Sequence, residues 1–388
     1  MNRLIIISFL ALAAVVLVLV QAGARRESSR VSTNLRDVVG QDLGAEESRW
    51  GGQYRVANAP RTFKFPEDHG PHDAFKVEWW YFTGNLAASA GLRFGYQLTF
   101  FRNALAPPGT LSVDSAASKW TTRQLYLAHF ALTDVQGGLF HEGERVARGA
   151  AELAGATAEP FRVWVSGWNV ESVGAATFPV RLQASNDDVE IDLTLDPRRP
   201  VVLQGEDGLS RKGDGPNQAS YYYSITRLGT SGIVRIGGKS IPVEGLSWFD
   251  REWSTSLLGR TQVGWDWFSL QLDNGTDVMY FQLRESEPGV PGYSGGRIVS
   301  KEDVLYDLKD AQLASIDDWT TPDGVTYPSG WHLVSKERSM DLRIEPFIED
   351  QELNLSIRYW EGAVSVSGVV DGSSVSGTGY VELTGYAR

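Results

Sequence analysis

Residues 189–195 read VEIDLTL, and apolar and polar side chains alternate along the whole stretch. Apolar side chains at every second position predict a β-strand with one face in a core and the other toward water. The same alternation recurs in RFGYQLTFF at 93–101 and in LNLSIRYW at 353–360. Long helical periodicity is scarce, so the sequence predicts an all-β protein built from antiparallel strands.

The length and the spacing of these strands predict two domains. The chain has 388 residues, which is more than a single hydrophobic core usually organises. We expect two consecutive antiparallel β-barrels, an N-terminal one over 59–240 and a C-terminal one over 241–388, because closure protects strand edges. The stretch LGTSGIVRIGGKSIPVEG at 228–245 predicts a hairpin followed by a crossover from one barrel to the next.

The first 24 residues have the layout of an export signal. Residues 4–20 are apolar, an arginine precedes them, and residues 22–24 read AGA, as at a small-residue cleavage site. The apolar run is also long enough for an uncleaved membrane anchor. Cleavage near Ala24 and tethering to the inner membrane therefore stay open as alternatives. Both place the body of the protein in the periplasm, after a polar linker over 25–58.

Composition excludes several classes of function. The chain has no cysteine, which rules out thiol nucleophiles, thiolate zinc sites and iron–sulfur clusters. The net charge of -12, without a basic cluster, argues against nucleic-acid binding. His69 and His72 form a poor metal pair in a Gly/Pro turn, so we expect no metal and no cofactor. The G-x-S-x-G pattern around Ser294 has meaning only on a strand–turn–helix elbow, and in these β-rich surroundings it reads as a chance match.

Three carboxylates lie in the most aromatic part of the C-terminal half. In SWFDREWS, strand alternation places Asp250 and Glu252 on one face and Arg251 on the other; in GWDWFSLQL, Asp266 heads an otherwise apolar face. Burial raises the pKa of such a carboxyl and keeps it protonated, as a general acid requires. Asp266, Asp250 and Glu252 are therefore the candidate acids. The alternative for Asp250 and Glu252 is a structural ion network at a strand end.

Aromatic residues near these acids, and a second aromatic stretch, are the candidate ligand contacts. In HGPHDAFKVEWWYF at 69–82, both faces of the predicted strand are aromatic. One face is thus expected inside a barrel and the other against a second layer. Glu78 is expected to be buried there, with an arginine or a backbone N–H as its partner. The predicted ligand-binding residues are Trp248, Trp253, Trp265, Trp267, Glu78, Trp80 and Tyr222.

Several segments, in order along the chain, resemble the AttH-like branch of the hydroxyneurosporene synthase (carotenoid 1,2-hydratase) family. They include FKFPEDHGPHDAFKVEWWYFTGNL, LSRKGDGPNQASYYYS, GLSWFDREWSTS, GWDWFSLQL, RYWEGAVSVSG and GTGYVELTGY. The resemblance covers nearly all of the chain from about residue 60. It implies two lipocalin-like barrels and an exported protein, often encoded beside an ABC transporter of the lipoprotein-release type. Older descriptions of such proteins read predicted secreted hydrolase.

Two functions from different classes are consistent with this sequence. The first is a binding protein that holds an apolar lipid or isoprenoid molecule, in partnership with a transporter permease. The second, implied by the carotenoid branch, is a cofactor-independent hydro-lyase. In that case Asp266 or Asp250 protonates an isoprenoid C=C, and the tryptophans shelter the carbocation by cation–π attraction. A secreted hydrolase is a distant third.

Overall fold

The structure is a computed structural model that describes residues 54–109, 122–215, 217–287, 289–290 and 292–387. The predicted export segment and most of the predicted linker lie outside the described residues. Within these residues, no helix has the length and the apolar character needed to cross a membrane. The only helical elements in this part of the chain are two 3₁₀ turns, Glu67–His69 and Ser89–Gly91.

Antiparallel strands form two curled, nearly closed sheets, which confirms the all-β, lipocalin-like architecture. The first sheet contains β1 (Val77–Ala87), β2 (Arg93–Ala104), β3 (Gln124–Asp134), β4 (Leu139–Arg148), β5 (Ala154–Ala158), β6 (Phe161–Val165), β7 (Trp168–Ser172), β8 (Val180–Ser185), β9 (Val189–Pro197), β10 (Val202–Leu203), β11 (Leu209–Arg211), β12 (Ala219–Ile236) and β13 (Lys239–Ser254). The second contains β14 (Gln262–Leu272), β15 (Asp277–Glu285), β16 (Ser294–Val299), β17 (Leu305–Asp307), β18 (Gln312–Thr320), β19 (Thr326–Ser335), β20 (Met340–Pro346), β21 (Glu352–Asn354), β22 (Arg358–Val370) and β23 (Ser373–Thr384).

The change from one sheet to the other falls later than the sequence analysis placed it. The hairpin around Gly237 and Gly238 joins β12 to β13, and no crossover follows. Instead β13 pairs with β12 on one side and, from Glu244 to Ser254, with β1 on the other side, so it completes the first sheet. The first sheet therefore ends at Ser254 rather than near residue 240, because the second arm of the hairpin continues as a long strand.

Alternation along the strands separates two cores from an interface between the sheets. On β1, Trp80 and Phe82 lie in the core of the first sheet, while Tyr81 lies in a cluster that packs against the second sheet. This is the two-sided burial that the aromatic pattern of 69–82 predicts. On β22, Trp360 lies in the second core, whereas Tyr359 faces the first sheet.

Close approach and hydrogen bonds hold the two sheets together. A Cβ at Gly95 would lie 2.3 Å from the Cβ of Ala363 on β22, so only glycine allows β2 to approach this closely. The Asn85 side-chain N–H₂ donates to the carbonyl oxygen of Gly379 at 2.9 Å. Farther along the interface, a His129 ring nitrogen lies 2.7 Å from the hydroxyl oxygen of Tyr359.

Candidate functional site

The two faces of β13 pack against different parts of the molecule. Phe249 and Trp253 pack into the core of the first sheet, whereas Trp248 packs in the cluster between the sheets. Asp250 and Glu252 share the outward face with Trp248 and line a cavity beside the second sheet. The alternation of SWFDREWS thus brings two of the three candidate acids to one site.

The cavity is narrow, about 60 Å³ in volume, and lies between the sheets rather than inside either barrel. A space of this size holds a few water molecules or a slender apolar group. Its walls are mainly aromatic or leucine side chains, with three carboxyls and one amine among them. The lining residues are Trp79, Tyr81, Phe101, Lys212, Tyr222, Asp250, Glu252, Leu257, Leu258, Trp265, Trp267, Phe281, Leu283 and Glu382.

Three donors from the first sheet hold Asp250. The register of β12 against β13 places Ser224 opposite Asp250. The Ser224 hydroxyl donates to Oδ1 at 2.5 Å, the Trp248 indole N–H donates to Oδ1 at 2.7 Å, and the Tyr222 hydroxyl donates to Oδ2 at 2.6 Å. Burial nevertheless raises the pKa of Asp250 to about 7, against the lowering effect of these hydrogen bonds. At neutral pH the carboxyl is therefore protonated in a substantial fraction of molecules.

Glu252 is an ionic neighbour of Asp250 on the same face. Its Oε1 lies 3.0 Å from the Nζ of Lys212 and also accepts a hydrogen bond from the Ser220 hydroxyl. The Lys212 ammonium stands 4.4 Å from the ring centroid of Phe281, within cation–π range. Lys212 directly follows β11, which pairs with β12.

Strand β23 contributes a further acid to the cavity, one that is not among the candidate acids predicted from the sequence. Glu382 on β23 lines the cavity, and its side chain is partly exposed. Burial, followed by the charges of Glu252 and Asp250, raises the pKa of Glu382 to about 8. Alternation in GYVELTGY places Glu382 on the opposite face from the core residues Val381 and Leu383, which is the signal that could have identified it.

Glu361 lies beside Glu382 as its directly opposite partner on β22. Its Oε2 accepts a hydrogen bond from the Tyr81 hydroxyl at 2.8 Å, and its buried Oε1 has no hydrogen-bond partner. Burial and the neighbouring Glu382 raise the pKa of Glu361 well above its ordinary range. The interface thus holds a second carboxyl that stays neutral.

The aromatic walls of the cavity come from both sheets. The ring of Tyr81 on β1 meets that of Trp267 on β14 edge to face at 5.1 Å between centroids. Trp267 also contacts Trp248 at 6.3 Å, and its indole N–H donates to the Tyr222 hydroxyl oxygen at 3.1 Å. Of the predicted ligand contacts, Tyr222, Trp265 and Trp267 line the cavity, while Trp248 stands behind it against Asp250.

Asp266 lies elsewhere, on the other face of β14 from Trp265 and Trp267. It pairs with Arg284, accepts from the Gln282 side chain at 2.9 Å and from the Tyr386 hydroxyl at 3.0 Å, and does not line the cavity. Burial raises the pKa of Asp266, and the charge of Arg284 opposes that effect. Its surroundings are those of a structural ion pair.

Glu78, Trp80 and Trp253 also lie away from the cavity, inside the first barrel. Glu78 is fully buried and forms ion pairs with Arg102 and Arg251. The Arg251 guanidinium lies over the Trp80 ring at 3.9 Å, and Trp253 stacks on the half-buried His72 ring at 3.7 Å. Trp253 therefore lies on the core side of the first sheet, whereas Trp248, Trp265 and Trp267 lie between the two sheets.

Neither a metal site nor a hydrolase elbow is present in the described part of the chain. It contains no group of three or more histidine, aspartate or glutamate side chains placed to hold a metal ion. Ser294 begins strand β16, and the G-x-S-x-G pattern needs a strand–turn–helix elbow to place a nucleophile.

Comparisons with known proteins agree with this architecture. The AttH-like family model matches residues 56–386. The crystal structure of an AttH protein from Nitrosomonas europaea is similar at a TM-score of 0.73 and 34% identity, covering 85% of this chain and all of that one. Kievitone hydratase from Nectria haematococca has a TM-score of 0.65 and 18% identity, covering 86% of this chain and 96% of that one.

A third similar structure is CghA solved with Sch210972, at a TM-score of 0.53 and 12% identity, covering 87% of this chain and 97% of that one. At these low identities the last two structures show a shared fold alone. A comparison with curated protein sequences found no significant match.

Proposed function

The chain belongs to the AttH-like family, and from this membership and the inter-sheet cavity we propose a cofactor-independent hydratase. It would add water to a carbon–carbon double bond of an apolar, isoprenoid-type substrate. One observation carries the proposal: Asp250 lines a cavity walled by aromatic side chains, and burial raises its pKa to about 7. A neighbour of similar fold is a hydratase by name, which supports the same chemistry.

Hydration of an isolated alkene needs one acid and one water molecule. Protonated Asp250 would give its proton to one alkene carbon, so that the π bond breaks, a C–H bond forms and the adjacent carbon becomes a carbocation. The electron-rich faces of Trp267 and Tyr222 would stabilise that cation. A water oxygen would then bond to the cationic carbon, and the surplus proton would return to the Asp250 carboxylate. Substrate and water are the only reactants consumed.

The hydrogen bonds around Asp250 suit this cycle. They hold the carboxyl in one orientation and stabilise the carboxylate after proton transfer, while burial restores the protonated form near neutral pH. Glu252 is charge-neutralised by Lys212 at 3.0 Å, so the cavity wall does not carry an unpaired anion at that point. Asp266 plays no part, because it lies across β14 from the cavity.

The proposal is tested by incubating the purified protein with isoprenoid alkenes and prenylated aromatic compounds in ¹⁸O-labelled water. A product carrying one added labelled water supports it. Asp250→Asn should then lower the rate by about 10²- to 10⁴-fold, the usual worth of a general acid. Asp192→Asn, at an ion pair on the outer surface of the first sheet, should leave the rate unchanged. A labelled product formed equally by Asp250→Asn would refute the role of Asp250.

A second candidate is carriage of an apolar molecule without chemistry, which the mainly apolar walls of the cavity favour. In the same experiment, a compound bound stoichiometrically and returned unchanged would support that function instead. Export, periplasmic location and partnership with an ABC transporter permease stay predictions from the N-terminal sequence and the family resemblance. Fractionation of the host cell and affinity capture of the tagged full chain would test them.

A further inference from the structure

The acids between the two sheets outnumber their cations. Asp250, Glu252, Glu361 and Glu382 all lie at the interface, and Lys212 is bonded to Glu252. Among the described residues, no arginine or lysine forms an ion pair with either Glu361 or Glu382. Carboxylates packed this closely in a buried site cannot all ionise, so some of them retain a proton.

Besides Asp250, Glu382 is a member of this group that lines the cavity. Its side chain lines the cavity and is partly exposed. A neutral carboxyl has one O–H donor in addition to its acceptor oxygens. That donor can bond a water molecule or a ligand oxygen, whereas a hydrocarbon that displaces the water leaves it unsatisfied.

We propose that Glu382 is a ligand-recognition residue that donates a hydrogen bond from its neutral carboxyl to a carbonyl or hydroxyl oxygen. The substrate class of the cavity is then an oxygenated isoprenoid rather than a pure hydrocarbon. The slender oxygenated end of the molecule enters the cavity against Trp267 and Phe281, and its oxygen lies against β23. This inference rests on the proposed function in one respect: hydration and ligand recognition are assigned to the same cavity. Recognition by Glu382 can be measured without turnover.

Glu361 supports this arrangement from behind. It faces Glu382 across the β22–β23 pair, its Oε2 accepts from Tyr81, and its Oε1 has no partner. A neutral Glu361 adds no negative charge beside Glu382, so it does not attract a cation into the cavity wall. The cavity wall thereby presents a neutral donor beside its aromatic and leucine side chains.

The test compares two probes of matched size by calorimetric titration at pH 6. One is geranylacetone, an isoprenoid ketone; the other is the hydrocarbon in which a methylene group replaces the carbonyl. The wild-type protein should bind the ketone about tenfold tighter, the worth of one hydrogen bond to an otherwise unsatisfied donor. The preference should fall as the pH rises through about 8, where Glu382 ionises.

Two substitutions at one position separate recognition from folding. Glu382→Met keeps the length of the side chain but has no donor, so it should bind both probes equally while retaining the hydrocarbon affinity. Glu382→Gln has an amide N–H₂ donor that does not titrate, so it should keep the ketone preference at every pH. Equal binding of the two probes to the wild-type protein, or no binding of either, overturns the inference. So does a preference that survives in Glu382→Met.

The two proposals fail separately. A ketone preference without labelled product would refute the hydratase and leave the recognition role standing. If the protein hydrates both probes and binds them with equal affinity, the hydratase proposal stands and the role of Glu382 is refuted.

Discussion

Replacing Glu78 with glutamine isolates the energetic role of the ion pairs inside the first barrel. Glu78 is 1% exposed, and its two carboxylate oxygens pair with Arg102 and Arg251, both of which are 0% exposed. The backbone N–H of His72 also donates to both oxygens, at 3.0 and 3.1 Å. Glutamine keeps the size of the side chain and one acceptor oxygen but removes the charge that two buried guanidinium groups share.

The expected loss follows from what the substitution leaves behind. Removing one partner of a buried ion pair costs about 3–5 kcal/mol, because the remaining charge is uncompensated in a medium of low dielectric constant. Two arginines lose their partner here, so Glu78→Gln should lie at the upper end of that range. Since a domain is stable by about 5–15 kcal/mol, the first barrel would lose a third or more of its stability.

Urea unfolding followed by far-UV circular dichroism measures this loss. The matched control is Glu190→Gln, which breaks an ion pair with Arg235 whose side chains are 43% and 42% exposed; such pairs contribute about 0–1 kcal/mol. If Glu78→Gln is within 1 kcal/mol of the control, the structural role inferred for Glu78 is wrong.

Acid titration provides a second check on Glu78. Burial alone would raise its pKa, but Arg102 and Arg251 hold the pKa well below the ordinary range. The folded state therefore keeps this carboxylate ionised at a pH where the unfolded chain has taken up a proton. Its contribution to stability is present above the unfolded pKa near 4.5 and is lost as the pH falls toward the folded value. Wild-type stability should fall more steeply with acid than that of Glu78→Gln.

Three further predictions concern the interface between the sheets. Gly95→Ala should destabilise the protein by about 1–3 kcal/mol in the same urea assay, because its Cβ would lie 2.3 Å from the Cβ of Ala363. Adding Ala363→Gly to this variant should recover part of the loss. The control is Gly174→Ala, which should cost little because no atom lies within 4 Å of the added Cβ. The pKa of Glu382 is raised to about 8 from 4.5, so the folded state retains a proton that the unfolded chain loses, and this group's contribution falls by about 1.4 kcal/mol per pH unit between these values. Glu382→Gln should flatten the urea midpoint between pH 5 and pH 8, and an unchanged slope would contradict the assignment. Tyr222→Phe removes a hydrogen bond that lowers the pKa of Asp250, so the alkaline limb of the hydration rate should move up by up to about one pH unit; a limb that moves down would contradict the role of Asp250.

The strand pattern carries most of the fold because its period reports burial directly. The alternation of VEIDLTL becomes β9, with Ile191 and Leu193 in the first core and Glu190 and Asp192 outside it. The boundary between the sheets is not visible in the same way. The sequence of the β12–β13 hairpin does not show whether β13 closes the first barrel or begins the second. Only the pairing of β13 with β1 shows that it closes the first.

The site is harder to predict because it depends on contacts between distant parts of the chain. Alternation correctly separates Asp250 from Arg251, and Trp267 from Asp266, but it does not show which faces meet. Asp266 heads an apolar face that proves to be the second core, where Arg284 neutralises it. Asp250 was found because it lies in the aromatic stretch SWFDREWS. Alternation shows that Glu382 faces away from the second core, but only tertiary packing shows that this face lines the cavity.

Two buried aspartates distinguish chemistry between the sheets from chemistry inside either barrel. Asp250→Asn and Asp266→Asn should be assayed side by side for incorporation of ¹⁸O from labelled water into an isoprenoid alkene, with thermal unfolding confirming that both variants are folded. If the chemistry occurs between the sheets, Asp250→Asn loses about 10²- to 10⁴-fold in rate, whereas Asp266→Asn keeps the wild-type rate. Loss of activity in Asp266→Asn with full activity in Asp250→Asn would place the acid in the second barrel instead.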